Sequence, residues 1–371
     1  MKFLIVKTSS LGDIIHCFPV LHYLHRRFVD AQVDWVVEKP YCELLRAHSG
    51  LHRIHTLDSK TWRRHAWRRS TWREAMFCCQ SLRAETYDVV FDLQGNIKSG
   101  LLMLMLRGRD KIGFGRKSVP EWPNVLFTKR RFDPPCGVNV REDYMFIVQQ
   151  AFGDQKDVYV DQRVSLTLTP EQQEILEKVL QGSVGQRYAV VCPGSRWFNK
   201  QLPIEVLADF LCLLQRHLGF QYFCVWGTPE EKEVAIRLCR DYDLSGTIVD
   251  RLQLPVLQNL MASVDLVIAM DSLPLHLAGT TSTPTFSVFG ASSMTKYKPL
   301  GIAHCGMQGV CPHGRVFEKR CPIVRTCSSG ACMRNFTSEG LFQSFLSWNN
   351  RLQQETEGSH ESFRSITARG R

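Results

Sequence analysis

Two doubly wound α/β units in tandem are predicted by three features of this 371-residue sequence. Strand and helix patterns alternate from the start, the chain turns polar between about 160 and 186, and a second alternating series opens at Arg187. KFLIVKTS reads as a buried strand, SSLGD punctuates it, and DIIHCFPVLHYLHRRF repeats apolar residues at helical spacing. VDWVVE (33–38) and YDVVFDLQ (87–94) read as further buried strands, with helical patterns at 41–48 and 97–107. After the helical TPEQQEILEKVLQ, the second series takes strand RYAVVCPGS, helix 203–219, strand QYFCVWG and helix 229–242. It continues through strand GTIVD, helix 253–264, strand DLVIAMDS, a short helix from 273 and strand TPTFSVFG. A helix over 338–356 and a polar, frayed tail close the chain. The expected divisions are 1–165, 166–337 and 338–371.

Composition narrows the function classes. With 44% hydrophobic residues the chain can bury substantial cores, and no stretch approaches the roughly 18 apolar residues of a spanning helix. No apolar leader with a small-residue cleavage site opens it, so a cytoplasmic location is expected. Forty-six Lys and Arg against 36 Asp and Glu give +10, which favours anionic partners such as phosphates, nucleic acid or an acidic membrane surface. Fourteen cysteines in so large a chain, most scattered through apolar segments, read as reduced core thiols and not as a disulfide scaffold.

In doubly wound sheets ligands bind beyond the carboxyl ends of the strands, and the polar constellations fall there. Asp13, in SSLGD, is placed to act as a general base toward a hydroxyl; the commoner role for an acid there is to cap its helix or complement its dipole. In CPGSRWFNK, Gly194 admits close backbone approach, Ser195 can donate a hydrogen bond, and Arg196 with Lys200 suits phosphate oxygens, or else forms a solvated basic loop. In MDSLPLHLAG, Asp271 and Ser272 end an apolar strand and His276 follows on the first helical turn, a donor-rich setting for a diphosphate leaving group. The alternative there is an N-cap serine with a packed histidine. Glu231, in WGTPEEKE, can accept from sugar hydroxyls or be an ordinary first-turn acid. Lys60, Arg63, Arg64, Arg68, Arg69 and Arg73 alternate with Trp62, Trp67 and Trp72, a composition for an anionic interface, for single-stranded nucleic acid, or for a helix that packs its indoles. Cys305, Cys311, Cys321, Cys327 and Cys332 lack any C-x-x-C pair, so free thiols are expected and no metal.

LIVKTSSLGDIIHCFPVL, DWVVE, DLQGNIKSG, WGTPEEKE, MDSLPLHLAG and the SVFG strand end, in that order over roughly residues 1–300, resemble the motifs of bacterial ADP-heptose:lipopolysaccharide heptosyltransferases. The opening motif is most similar to the heptosyltransferase I branch. The resemblance implies an α/β GT-B fold of two Rossmann-like domains facing an interdomain cleft, an acceptor-binding domain first and a nucleotide-sugar domain second. It implies inverting transfer of L-glycero-D-manno-heptose from ADP-heptose to the Kdo inner core of Kdo-lipid A, without metal or cofactor. Asp13 is then the base. Lys200, with Ser195 and Arg196, holds the diphosphate and stabilises the departing ADP; Asp271, Ser272 and His276 contact heptose and phosphates, Glu231 the ribose, and Leu252 the adenine. On the acceptor side it implies Ser10, Lys98, and Lys60, Arg63 and Arg64 of a basic loop. The partners implied are ADP-heptose, Kdo-lipid A and the anionic cytoplasmic face of the inner membrane, with no nucleic acid. The chain departs from the family pattern in having Leu273 and Pro274 where a glycine is usual, Pro120 where an arginine precedes Glu121, and VNVRED at 138–143. CPIVRTCSSGACMR is similar instead to the heptosyltransferase II branch. Other readings of the same residues are a nucleotide-sugar epimerase, a nucleic-acid-binding module, and a family member that binds donor without turnover.

Overall fold

The structure, a computed structural model, describes residues 1–154, 162–183 and 185–368, and the chain divides into two compact units, Met1–Gln172 and Gln173–Arg371. The first unit opens with β1 (Lys2–Val6), α1 (Leu11–His16), α2 (Phe18–Arg27), β2 (Gln32–Glu38), α3 (Cys42–Arg46) and β3 (Arg53–Leu57). It continues through α4 (Ser59–Arg64), α5 (Arg69–Ala84), β4 (Thr86–Asp92), α6 (Ile97–Met105), β5 (Arg107–Phe114), β6 (Arg130–Phe132) and α7 (Val140–Ala151). All six strands are parallel, in the order β3-β2-β1-β4-β5-β6. The chain therefore steps outward on one side of β1 and on the other side of β4, which puts a topological switch point between those two strands.

After α8 (Pro170–Leu180), the second unit repeats the plan: β7 (Arg187–Cys192), α9 (Ile204–Leu218), β8 (Phe220–Cys224), α10 (Pro229–Asp241), β9 (Gly246–Ile248) and α11 (Leu254–Ala262). Then follow β10 (Leu266–Met270), α12 (Leu273–Ala278), β11 (Thr285–Phe289), α13 (Met294–Tyr297), β12 (His304–Gln308), α14 (Ala331–Arg334) and α15 (Ser338–Ala368). The sheet order β12-β11-β10-β7-β8-β9, again all parallel, puts its switch point between β7 and β10.

The central strands are apolar because helices cover both faces: β10, Leu-Val-Ile-Ala-Met, and β11 are buried throughout. In the first unit Leu4, Val6, Val36 and Val90 meet Leu82 of α5 and Leu102 and Met103 of α6. In the second, Leu341, Phe342, Phe345 and Trp348 of α15 pack into the core formed with α9 and β11. Burying side chains of this size removes water from apolar surface at about 25 cal/mol per Å².

The sequence and the structure differ at several elements. The single helix read from Asp13 onward is two: Cys17 closes α1, and Pro19, which has no N–H to donate, occupies the first turn of α2, where that loss is harmless. Strands β3, β5, β6 and β12 and helix α7 were not anticipated. The final helix extends beyond 356 to Ala368, through much of the expected tail; the tail's last residues, 369–371, lie outside the described residues. Among the described residues no helix is long and apolar enough to cross a membrane.

Candidate functional site

In the second unit the loops after β7 and β10 meet at the switch point through one ion pair. Lys200, in the short 3-10 turn Phe198–Lys200, is buried, and its ammonium lies 2.6 Å from Oδ2 of buried Asp271. The Ser292 hydroxyl, beyond the end of β11, donates to the same oxygen, and His276 Nε2 lies 3.6 Å from Oδ1. Burial alone pushes the Asp271 carboxyl up; the Lys200 charge, His276 and the hydrogen bonds from Lys200 and Ser292 outweigh it and hold the group below the usual carboxylate range. Three of the predicted donor-side groups are thus assembled, and the sequence did not single out the fourth, Ser292. Its only signal was its place just past the SVFG strand end.

The remaining donor-side residues surround this cluster in different ways. Ser195 is buried and its carbonyl accepts from Gln201 Nε2 at 2.6 Å, whereas Arg196 is exposed with its guanidinium 5.5 Å from the Trp197 ring centre. Glu231 caps α10: its Oε2 accepts from the Gly227 N–H at 2.7 Å, and the Thr228 hydroxyl accepts from the Glu231 N–H. The same carboxyl lies over Gly194, where an added Cβ would come within 2.3 Å of it. So Gly194 admits a neighbouring side chain as well as leaving backbone room. Ser272 is the N-cap of α12, Leu252 is half-buried, and α12 has only six residues, so its N-terminus is a weak anion site by itself.

The cysteine-bearing segment serves that loop. All fourteen cysteines are free, and among the described residues no group of three or more His, Cys, Asp or Glu could hold a metal ion. Cys311, Cys321, Cys327 and Cys332 line a small, mainly apolar cavity together with Asn199. Asn199 Nδ2 donates to the carbonyls of Val324 (2.6 Å) and Cys327 (3.2 Å), which anchors the residue next to Lys200.

In the first unit the switch point holds the Asp13 loop. Asp13 is the third residue of α1; its Oδ2 accepts from the Ser10 hydroxyl (2.7 Å) and the Ser10 N–H (3.1 Å), so the capping arrangement is present. Gln94, beyond β4, ties the loop down: its Oε1 accepts from the N–H groups of Thr8 (3.0 Å) and Ser9 (3.1 Å). Beneath it the buried Asp92 carboxylate accepts from Gly95 N, Gln94 N, Ser99 Oγ and Asn124 Nδ2. Burial raises its pKa against those four donors. Neither Gln94 nor Asp92 was read as a site residue. Lys98 lies at the same edge, but its ammonium is bound to Glu38 and to Ser59 Oγ (2.8 Å), so its charge already has a carboxylate partner. Lys60, Arg63 and Arg64 are exposed on α4. Of the three interleaved indoles only Trp62 packs on the core; Trp67 and Trp72 are 75% and 62% exposed.

The profile of glycosyltransferase family 9 (heptosyltransferase) matches residues 77–323. Lipopolysaccharide heptosyltransferase 1 of Pseudomonas aeruginosa is 29% identical over 296 residues, 79% of each chain. The Escherichia coli K12 protein of the same name is 26% identical over 295 residues, 78% of this chain and 88% of its own. The solved structure of E. coli heptosyltransferase WaaC with ADP superposes with a TM-score of 0.77 at 22% identity, covering 94% of this chain and all of the other. E. coli ADP-heptose lps heptosyltransferase II gives 0.70 at 17%, covering 96% and 100%. These likenesses show the fold, the α/β GT-B class.

Proposed function

From the premise that the chain belongs to glycosyltransferase family 9, the heptosyltransferases, we propose that it transfers L-glycero-D-manno-heptose from ADP-heptose to the Kdo inner core of Kdo-lipid A, with inversion. The observation that carries this reading is the buried Lys200–Asp271–Ser292–His276 cluster at the switch point of a family 9 chain. A buried ammonium with a carboxylate at its back is preorganised to meet a second anion, and a departing diphosphate supplies one. The two sequence relatives named above, of Pseudomonas aeruginosa and Escherichia coli, carry the name heptosyltransferase 1, which supports the choice of donor and acceptor.

In this mechanism Asp13 accepts the proton of the attacking Kdo hydroxyl. The hydroxyl oxygen bonds to the anomeric carbon of the heptose, the bond from that carbon to the diphosphate oxygen breaks, and its electron pair leaves with ADP. Lys200 and His276, with Arg196 and Ser195, offset the charge that develops on the diphosphate; Ser272 contacts the heptose and phosphates, Glu231 the ribose, and Leu252 the adenine. Ser10 and Lys98, with Lys60, Arg63 and Arg64, face the acceptor's carboxylate and phosphates, Lys98 by exchanging Glu38 for them. The enzyme acts at the cytoplasmic face of the inner membrane.

The test is transfer from ADP-heptose to Kdo-lipid A with chelator present, reading product mass and released ADP. Asp13→Ala should retain donor binding and lose turnover; near-normal turnover would remove Asp13 from the base role. A second reading, heptosyltransferase II, is favoured by the segment Cys321–Arg334, which resembles that branch. Product formed only on an already heptosylated acceptor would select it.

A further inference from the structure

We propose that the first unit docks on an anionic lipid bilayer through one continuous apolar face built by α5, α6 and the 3-10 turn Trp122–Phe127, a surface wider than the basic tryptophan segment. The inference deepens the reading above and rests on its lipid-linked acceptor.

Helices α5 and α6 both link parallel strands of one sheet, so they run in the same direction, and the Cys79 thiol 3.7 Å from Met105 Sδ fixes one beside the other. One and two turns back from that contact come Met76 and Trp72 on α5, and Leu101 and Ile97 on α6. Those four side chains are 59%, 62%, 53% and 44% exposed, and Leu104 extends the row. On the far side of α6 its Gly100 is closed by the Phe127 ring, where an added Cβ would come within 2.3 Å. That close approach seats the 3-10 turn against α6, with Trp122 and Leu126 left exposed. Single exposed apolar residues are ordinary, but apolar rows shared by three adjacent elements mark an interaction surface.

Charge selects the occupant. Residues 59–84 carry seven Lys and Arg and one acid, Glu74, so the apolar face has a cationic border with indoles at its margin. Indoles favour the headgroup level, aliphatic side chains the acyl boundary beneath it, and guanidiniums the lipid phosphates. The carboxylates at the start of α6 already have partners: Glu121 accepts from the Ile97 N–H at 2.8 Å, Glu38 is paired with Lys98, and buried Asp92 accepts from the Ser99 hydroxyl. Trp72 and Ile97 lie toward the amino ends of their helices, at the carboxyl edge of the sheet that also carries the Asp13 loop. A bilayer held on this face would bring lipid-linked sugars to that edge.

The experiment compares the full chain with Leu101→Glu/Leu104→Glu, both at exposed positions, in sedimentation with vesicles of phosphatidylcholine containing phosphatidylglycerol and with phosphatidylcholine alone. The wild type should bind the anionic vesicles, and the variant about tenfold or more weaker, with circular dichroism and melting temperature unchanged. A parallel assay on a water-soluble, deacylated Kdo acceptor should give equal rates for both proteins, whereas transfer to vesicle-embedded acceptor should fall in the variant. Unchanged vesicle binding by the variant overturns the proposal. So does a wild-type dimer in gel filtration that the variant dissolves without any vesicle binding, because the face then meets a second copy. Loss of vesicle binding with no transfer to either acceptor supports the lipid face and sinks the heptosyltransferase reading alone.

Discussion

The ammonium of Lys200 and the carboxylate of Asp271, 2.6 Å apart and both buried, join the strand-end loops of β7 and β10 at the point where the sheet order reverses. A buried ion pair stabilises little relative to an apolar pair of similar volume, yet removing one partner strands the other charge at about 3–5 kcal/mol. Lys200→Met should therefore lower unfolding stability by an amount in that range, reduced by what Ser292 and His276 still give Asp271, and should abolish ADP binding. Lys200→Met/Asp271→Leu should recover most of the stability without recovering ADP affinity, measured by denaturant unfolding and calorimetry. A double variant that regains ADP binding would show the pair to be architectural only.

The depressed pKa of Asp271 sets a direction for acid stability. Its folded value is below that of an unfolded aspartate, about 3.9, so the pair's contribution is complete above that value and is lost as pH falls through the folded one. The unfolding free energy of the wild type should decline on acidification below about pH 4.5, and the decline should be shallower in Asp271→Asn. Urea midpoints across pH 3–7 for both proteins check this, with parallel profiles counting against it.

Gly194 and Glu231 make a second coupled pair. An alanine methyl at 194 would meet the Glu231 carboxyl at 2.3 Å, so the flexible side chain must swing away and give up the Gly227 N–H. Gly194→Ala should cost about 0.5–2 kcal/mol, the worth of the cap, and Glu231→Ala a similar amount. Because both remove the same interaction, the double variant should cost less than the two single losses together. Additive melting shifts would refute the coupling.

Most of the strands legible in the sequence were buried on both faces, such as Leu-Val-Ile-Ala-Met of β10, although the short edge strand β9 was legible too. Those that escaped are sheet edges or only partly buried: Arg-Ile-His-Thr-Leu of β3 and Arg-Arg-Phe of β6 carry charge at the edges of the first sheet, His-Cys-Gly-Met-Gln of β12 is an uncharged edge of the second, and the first half of β5 is only partly buried. Helix α7 escaped because its buried face includes Arg141 and Asp143, which break the apolar period. Asp271 could be picked out because it ends an apolar strand, His276 because it sits on the helix that follows, and Lys200 because it crowds with Arg196 in the loop beyond β7. Ser292 and Gln94 could not, since what marks them is a partner more than 20 or 80 residues away, Asp271 and Thr8. The destination of Trp62, Trp67 and Trp72 was equally hidden, because helical spacing does not say which face meets the sheet.

Gln94 gives the last test, since it reaches from the end of β4 to hold the backbone that precedes Asp13. Its carbonyl oxygen accepts from two consecutive N–H groups, Thr8 and Ser9, which have no ladder partner once β1 has ended. Gln94→Ala removes that acceptor at a half-buried position, and the loop bearing Ser10 and Asp13 loosens. Misplacement of a base by about an ångström costs on the order of 10- to 100-fold in turnover, so kcat should fall by that factor while KM for ADP-heptose stays near wild type, because the groups proposed to hold the donor belong to the other unit. Gln94→Glu keeps an acceptor oxygen in place and should restore loop order. It also adds a carboxylate to the neighbourhood of Asp13, and like charge raises the pKa of a base, so the acid limb of its pH–rate profile should move to higher pH. A wild-type kcat in Gln94→Ala would show that the tether does not position Asp13, and an unmoved acid limb in Gln94→Glu would place the two groups too far apart to interact.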